Sequence, residues 1–215
     1  MARIGLLVRL AVILAALGAG PVRARDRAGD FDFYVLSLSW SPTYCLDRGQ
    51  IDAFQCGGRP FAFVVHGLWP QYEHGFPVNC PSDGDKRVPR RIVEGMLDVM
   101  PSPALIGHEW RKHGTCSGLT PQDYFALTRA ARARITIPPA FAAVETPKRV
   151  SPAAIEAAFR AANPDLPGDG IAVLCDSQRL KEIRICMTRD LAFRSCPEVD
   201  RGACRRTSIV VPAVR

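Results

Sequence analysis

Residues 108–116 read His-Glu-Trp-Arg-Lys-His-Gly-Thr-Cys, which places two of the chain's four histidines beside a carboxylate and an ammonium. On a helix, at about 100° per residue, His108, Lys112, Glu109 and His113 fall within an arc of roughly 140°. Trp110 and Arg111 point elsewhere, and Gly114 stops the helix. One face then carries an acid/base pair and fixed charges of both signs. Such a face suits proton transfer next to an anion.

A third histidine, His66, closes the run Phe-Val-Val-His and precedes Gly-Leu-Trp-Pro. The spacing predicts a central strand over 61–66 that ends at Gly67 and Pro70. Taken alone, a histidine there is a buried strand-end residue bonded to backbone. Its position changes that reading, because loops after strand ends carry functional groups. Gly67 also permits close backbone approach, and Trp69 offers a stacking face.

Two chemistries compete for these residues. A zinc hydrolase helix needs histidines at i and i+4. Here they stand at i and i+5, diverge by about 140° on a helix at about 100° per residue, and share their face with Lys112. The alternative needs no metal. One histidine takes the proton from a ribose 2′-hydroxyl while another protonates the departing 5′-oxygen. Lys112 and a protonated histidine stabilise the negative charge that builds on the phosphoryl oxygens. DNA has no such nucleophile, so the substrate of this chemistry is RNA. A solvated helix face with His108–Lys112 and Glu109–His113 pairs is the bland alternative.

The elements that must position these side chains alternate irregularly along the chain. Strands are expected over 31–40, 61–66, 171–175, 182–188 and 208–211. Helices are expected over 90–100, 104–113, 120–134 and from 151 to 162, with Thr120-Pro121 and Ser151-Pro152 as starts. Residues 45–58 and 71–86 read as loops, and His74 in the second as a surface residue. This order lacks strict βαβ alternation. It indicates α+β: a mainly antiparallel sheet packed against a layer of helices, in one disulfide-stapled domain.

Composition fits that reading. The chain has 215 residues and is 47% hydrophobic, enough for one substantial core. A basic start and an apolar run to Gly20, broken by Arg9, precede Val-Arg-Ala at 22–24. Residues 1–24 are therefore expected to be a signal peptide, and no membrane span is expected in the mature chain. Setting those residues aside removes three arginines and takes the formal charge from +7 to +4. That charge is compatible with a polyanion and does not identify one. The eight cysteines form no C-x-x-C pair, which disfavours a zinc cluster or thioredoxin motif. With export they imply four disulfides, whose pairing spacing alone leaves open among 105 connectivities.

Both histidine segments resemble the two active-site motifs of the ribonuclease T2 family, in order and at similar separation. The resemblance extends to Ser39-Trp-Ser-Pro42 with Cys45, to Cys80-Pro81, to Leu180-Lys-Glu-Ile-Arg-Ile-Cys186, and to Cys196-Pro197 and Cys204. It implies an α+β fold and cleavage of single-stranded RNA to a 2′,3′-cyclic phosphate, with slow hydrolysis onward to a 3′-phosphate. No cofactor or metal is implied. By the same resemblance His113 is the general base, His66 the general acid and His108 a phosphate contact. Glu109 and Lys112 stabilise the transition state. The implied disulfides are Cys45–Cys56, Cys80–Cys116, Cys175–Cys204 and Cys186–Cys196. Trp69 and Gln71 stand where the family holds a base. Gln71 replaces an acidic residue of some members, and Leu105 and Ile106 replace common aromatics, which implies low base selectivity. Scarce lysine and the lack of a glycosylation sequon at Asn79 and Asn163 point to a bacterium. The expectation is a monomer, periplasmic or secreted, with residues 25–215 as its catalytic domain.

Overall fold

Apolar side chains on both faces of residues 33–40 make this segment the centre of the sheet. In the computed structural model, which describes residues 27–48, 52–82, 84 and 86–215, strand β1 (Phe33–Trp40) pairs antiparallel with β2 (Phe63–Gln71) on one side. On its other side it pairs with β5 (Leu180–Met187). The sheet runs β2-β1-β5-β4, where β4 is Ile171–Cys175. Lys148–Val150 (β3) and Ile209–Val211 (β6) form a separate two-stranded ribbon. Helices among the described residues are α1 (Ser41–Arg48), α2 (Ala53–Cys56), α3 (Arg90–Met96), α4 (Pro103–Lys112), α5 (Pro121–Ala133), α6 (Pro139–Ala142), α7 (Pro152–Ala162) and α8 (Pro197–Arg201). The architecture is α+β. The expected signal peptide lies outside the described residues, and no helix among them is long and apolar enough to cross a membrane.

Strand alternation divides the sheet into two faces. Tyr34, Leu36 and Leu38 of β1, with Ile183 and Ile185 of β5, join Ile106, Trp110, Tyr124, Ile155 and Phe159 in the main core. Phe33 and Val35 lie on the opposite face with Trp69, Cys186 and Cys196. Glu182 and Arg184 alternate with the core isoleucines and so belong to this second face. The functional candidates collect there.

Three sequence expectations change. The strand predicted over 61–66 does not stop at Gly67 and Pro70 but runs to Gln71. It is an edge strand, where a residue without an N–H is tolerated. Residues 45–58 are not a loop throughout: α1 and α2 occupy most of them, with the Asp52 side chain accepting from Gln55 N–H as the α2 cap. The helix predicted over 90–100 ends at Met96 and closes with a turn in which Met100 N–H reaches Met96 O.

Disulfides join Cys45 to Cys56, Cys80 to Cys116, Cys175 to Cys204 and Cys186 to Cys196. Cys80–Cys116 clamps the segment after β2 to the 3₁₀ turn Gly114–Ser117, directly beyond α4. Asn79 N–H also reaches Lys112 O at 2.8 Å. Replacing both cysteines by serine should lower stability by about 2–4 kcal/mol. Activity should fall before the fold does, because α4 loses its anchor. Chemical denaturation beside an RNA cleavage assay checks both.

Candidate active site

A bulge puts His66 where it is. Along β1 and β2 the register pairs Ser37 with Gly67 but Leu38 with Val65, so His66 is the extra residue. Bulges bend a strand and re-aim a side chain. His66 therefore projects from the middle of an edge strand, not from a strand end, and its side chain is 35% exposed.

Helix α4 supplies the opposing wall. Ser102 caps its start by accepting from Leu105 N–H, and Pro103 occupies the first turn. Ile106 and Trp110 enter the main core and fix the helix's rotation. That rotation turns Glu109 and His113 inward, where both are buried, while Lys112 is half-buried and His108 exposed. The helix ends at His113, whose N–H still reaches Glu109 O at 2.9 Å.

Trp69 stands between the two walls. Its ring centroid lies 5.2 Å from that of His66 and 5.2 Å from that of His113. Its Nε1–H donates to Glu109 Oε2 at 2.6 Å, and the other oxygen, Oε1, lies 3.6 Å from His66 Nε2. Gly67 makes this close approach possible. A Cβ there would sit 2.1 Å from Glu109 Oε2 and 2.4 Å from Trp69 Nε1.

The site also holds two residues to which the sequence reading gives no role. Glu182 Oε2 lies 2.7 Å from His66 Nδ1, and Arg184 Nε donates to Glu182 Oε1 at 2.8 Å. The Arg184 guanidinium sits 5.0 Å from the Trp69 ring centroid. Their signal is faint: a strand with charges on alternate residues reads as facing water.

The two imidazoles have their pKa values shifted in opposite directions. Burial lowers the His66 pKa, but the Glu182 hydrogen bond and charge, with the Glu109 charge, outweigh it and raise it overall. Burial pushes His113 down to about 3, and the positive charges of Lys112, His66 and His108 act in the same direction. His113 Nδ1 is buried with no hydrogen-bond partner, so a second ring proton gains nothing there. His108 is lowered by burial and by Lys112 and Arg111. Burial lifts Glu109 against the pull of His66 and Trp69. Burial also disfavours the Glu182 carboxylate, yet His66 and Arg184 hold its pKa at about 2. Groups with pKa values pushed apart are how one cleft holds an acid and a base together.

A cavity of about 390 Å³ opens beside His66, lined among others by Ser39, Tyr44, Asp52, Leu105, Lys181 and Glu182. Gln71 is not among the residues that line this cavity, and its Nε2–H donates to the Pro70 carbonyl at 3.0 Å. His74 is exposed and bonds Glu198 at 2.9 Å. Among the described residues no three histidine, cysteine or acidic side chains converge as metal ligands.

Known proteins share this arrangement of elements. A ribonuclease of Aeromonas hydrophila is 40% identical over 127 residues, 59% of this chain and 57% of its own length. Ribonuclease DdI of Dictyostelium discoideum is 28% identical over 199 residues, 83% of this chain and 84% of its own. The chain spans about half the length of the first curated relatives it matches, from 40% to 57%. Among solved structures, RNase NT in complex with 5′-AMP superposes with a TM-score of 0.68 at 25% identity, over 86% of this chain and 99% of that one. An RNase-related protein from Calystegia sepium superposes at 0.70 with 23% identity, over 86% and 98% of the two chains, a likeness of fold. The model of the Ribonuclease T2 family matches residues 31–196, which contain both histidine segments and the strand that bears Glu182; this chain belongs to the ribonuclease T2 family.

Proposed function

We propose that this protein is an endoribonuclease that cleaves single-stranded RNA by attack of the 2′-hydroxyl on its neighbouring phosphate, without a metal. One observation carries the reading: two imidazoles flank a single indole, one set between two carboxylates and the other buried with an unpartnered ring nitrogen. His113 takes the 2′-hydroxyl proton as that oxygen attacks phosphorus, and an anionic phosphate in the cleft raises its pKa toward the working range. His66 gives its proton to the departing 5′-oxygen. The bond to that oxygen breaks, leaving a 2′,3′-cyclic phosphate that slow hydrolysis opens to a 3′-phosphate. His108 binds the phosphate, and Glu109 and Lys112 orient and stabilise the pentacovalent state, with Lys112 offsetting its negative charge. Single strands are preferred because in-line attack needs a backbone free to rotate.

Weak base selectivity follows from the same geometry. Trp69 is buried and its N–H is engaged by Glu109, while Gln71 turns to its own backbone. These two residues therefore meet a base only through the little surface they leave. The cavity beside His66, bounded by the half-buried Leu105, accepts the nucleotide on the leaving-group side. Four disulfides favour an oxidising compartment, which makes the periplasm or the exterior the destination after removal of residues 1–24. The protein acts as a monomer.

The rate should depend on pH through these two groups. His66 works protonated, so kcat/KM falls as pH rises through its raised pKa. His113 works neutral, so kcat/KM, which reports the free enzyme, is lost in acid only as pH approaches about 3, while the acid limb of kcat lies higher because bound phosphate raises that pKa. The alkaline limb is therefore expected above the ordinary imidazole value of about 6.5. A profile with no alkaline limb contradicts the role of His66.

Incubating the purified protein with RNA in excess EDTA and identifying the new ends tests the function itself. Cyclic phosphate in undiminished yield supports it. Loss of activity in EDTA points instead to a metal-dependent hydrolase, and RNA binding without cleavage to a binding protein.

A further inference from the structure

The cleft contains a carboxylate for which the reaction above has no use. Glu182 is 3% exposed and reaches across the sheet to touch His66. Strand β5 is separated from β2 by β1, two interstrand spacings of about 4.8 Å each. The residue opposite Glu182 on β1 is Ser39, whose own β2 partner is Val64. Ser37 and Gly67 form the adjoining row with Arg184. Small side chains along β1 leave the path open for Glu182 to pass over the strand. A buried carboxylate on such a path needs partners. It has two, His66 Nδ1 through Oε2 and Arg184 Nε through Oε1.

We propose that Glu182, held by Arg184, is a positioning residue for the general acid: it fixes the proton on His66 Nδ1, aims Nε2 into the cleft and keeps the ring cationic. The proposal rests on His66 being the acid in the reaction described above. A carboxylate only accepts, so the Nδ1 that faces it carries hydrogen. The second ring proton, on Nε2, is the one delivered to the 5′-oxygen. The other charged groups around His66 do not provide this. Glu109 on α4 also favours a positive ring but lies on the Nε2 side at 3.6 Å, while His108 and His113 of that helix oppose a positive charge on His66 and Lys112 adds a further cation to the same helix. Arg184 on β5 also opposes it, and Asp47, Arg48 and Asp52 with Asp176 and Lys181 line the adjoining cavity. Glu182 is the group with a direct short contact to Nδ1.

Arg184 makes the amide substitution informative. In Glu182→Gln, Arg184 Nε–H demands the amide oxygen, so the amide NH₂ faces His66 Nδ1. Nδ1 must then accept, which expels its proton and favours the neutral ring. The change is nearly isosteric, so the fold should stand.

The test compares two substrates. RNA has a poor alkoxide leaving group and needs the acid; a nucleoside 3′-(4-nitrophenyl phosphate) has a leaving group that departs unaided. Glu182→Gln should lower kcat/KM on RNA by about 10–100-fold, within what an acid group supplies. It should move the alkaline limb of the profile to lower pH and leave cleavage of the nitrophenyl ester nearly as fast as in the parent. His66→Ala serves as the control. If it slows both substrates equally, the acid role of His66 fails. If His66→Ala discriminates and Glu182→Gln slows both substrates equally, or leaves the alkaline limb in place, only the role of Glu182 fails. Should the variant not fold, NMR titration of His66 in the parent chain decides. A ring protonated at Nδ1 and titrating above about 6.5 supports the proposal; a neutral ring protonated at Nε2 there overturns it.

Discussion

Replacing His113 by alanine should reduce kcat/KM on RNA by about 10²–10⁴-fold, the range a positioned acid or base supplies. The loss should fall on kcat, since the imidazole acts on a proton in flight. The fold should survive. His113 ends α4 through its backbone N–H, which alanine keeps, and Cys116 remains bonded to Cys80 three residues on. The substitution also removes a buried nitrogen that has no partner. His66→Ala should cost activity on the same scale and more stability, because Glu182 then stays buried with the Arg184 hydrogen bond but without its imidazole partner. The double variant should lose little more than either single one, as groups acting in one step are not additive. Steady-state kinetics on a defined oligonucleotide, with circular dichroism of each variant, checks this. A His113→Ala protein that keeps most of its activity contradicts the base assignment.

Gly67→Ala is expected to be nearly as damaging, although it removes no catalytic group. The added methyl would overlap both Glu109 Oε2 and Trp69 Nε1. The backbone cannot retreat, because Gly67 is paired with Ser37 in the sheet. The side chains must move instead, which breaks the Trp69–Glu109 hydrogen bond and strands a carboxylate that is 1% exposed. An unsatisfied buried group of this kind costs about 1–3 kcal/mol, and more when charged. Stability should therefore fall by about 2–4 kcal/mol. Displacing Trp69 also shifts the spacer between the two imidazoles, and an error near 1 Å in such geometry costs about 10²-fold in rate. Thermal unfolding and RNA cleavage measured on the same preparation test both effects. Parent-like activity in this variant would show that the Trp69–Glu109 contact does not set the site.

How far the sequence reveals this site depends on whether a residue's neighbours are local. Helix α4 is legible because its signals lie within its own turns: Ser102 before it, Pro103 in the first turn, Gly114 after it. Glu109 and His113 turn inward because they share one helical face with the apolar Ile106 and Trp110, at i, i+3, i+4 and i+7. Strand β2 is only half legible. Gly67 and Pro70 look like terminators, and nothing local tells that this is an edge strand whose pairing with β1 continues past them. The bulge at His66 arises from register with β1, which no single strand encodes. Glu182 and Arg184 are harder still. Charges on alternate residues of a strand predict a solvated face, whereas here that face is roofed by Trp69 and His66. Residues 45–58 mislead in the opposite way: cysteines and turn formers suggest a loop, but the Asp52 cap, and Pro42 near a helix start just before them, are compatible with α1 and α2. Disulfide pairing is not contained in cysteine spacing at all; it follows only from family likeness or from the folded chain.

The most direct test of 2′-hydroxyl attack uses a DNA oligonucleotide with a single internal ribonucleotide, incubated with the protein in EDTA. Cleavage confined to the linkage 3′ of that ribonucleotide, leaving a 2′,3′-cyclic phosphate and a 5′-hydroxyl, is the expected result. Cleavage at any deoxynucleotide linkage, or a product bearing a 5′-phosphate, would contradict it.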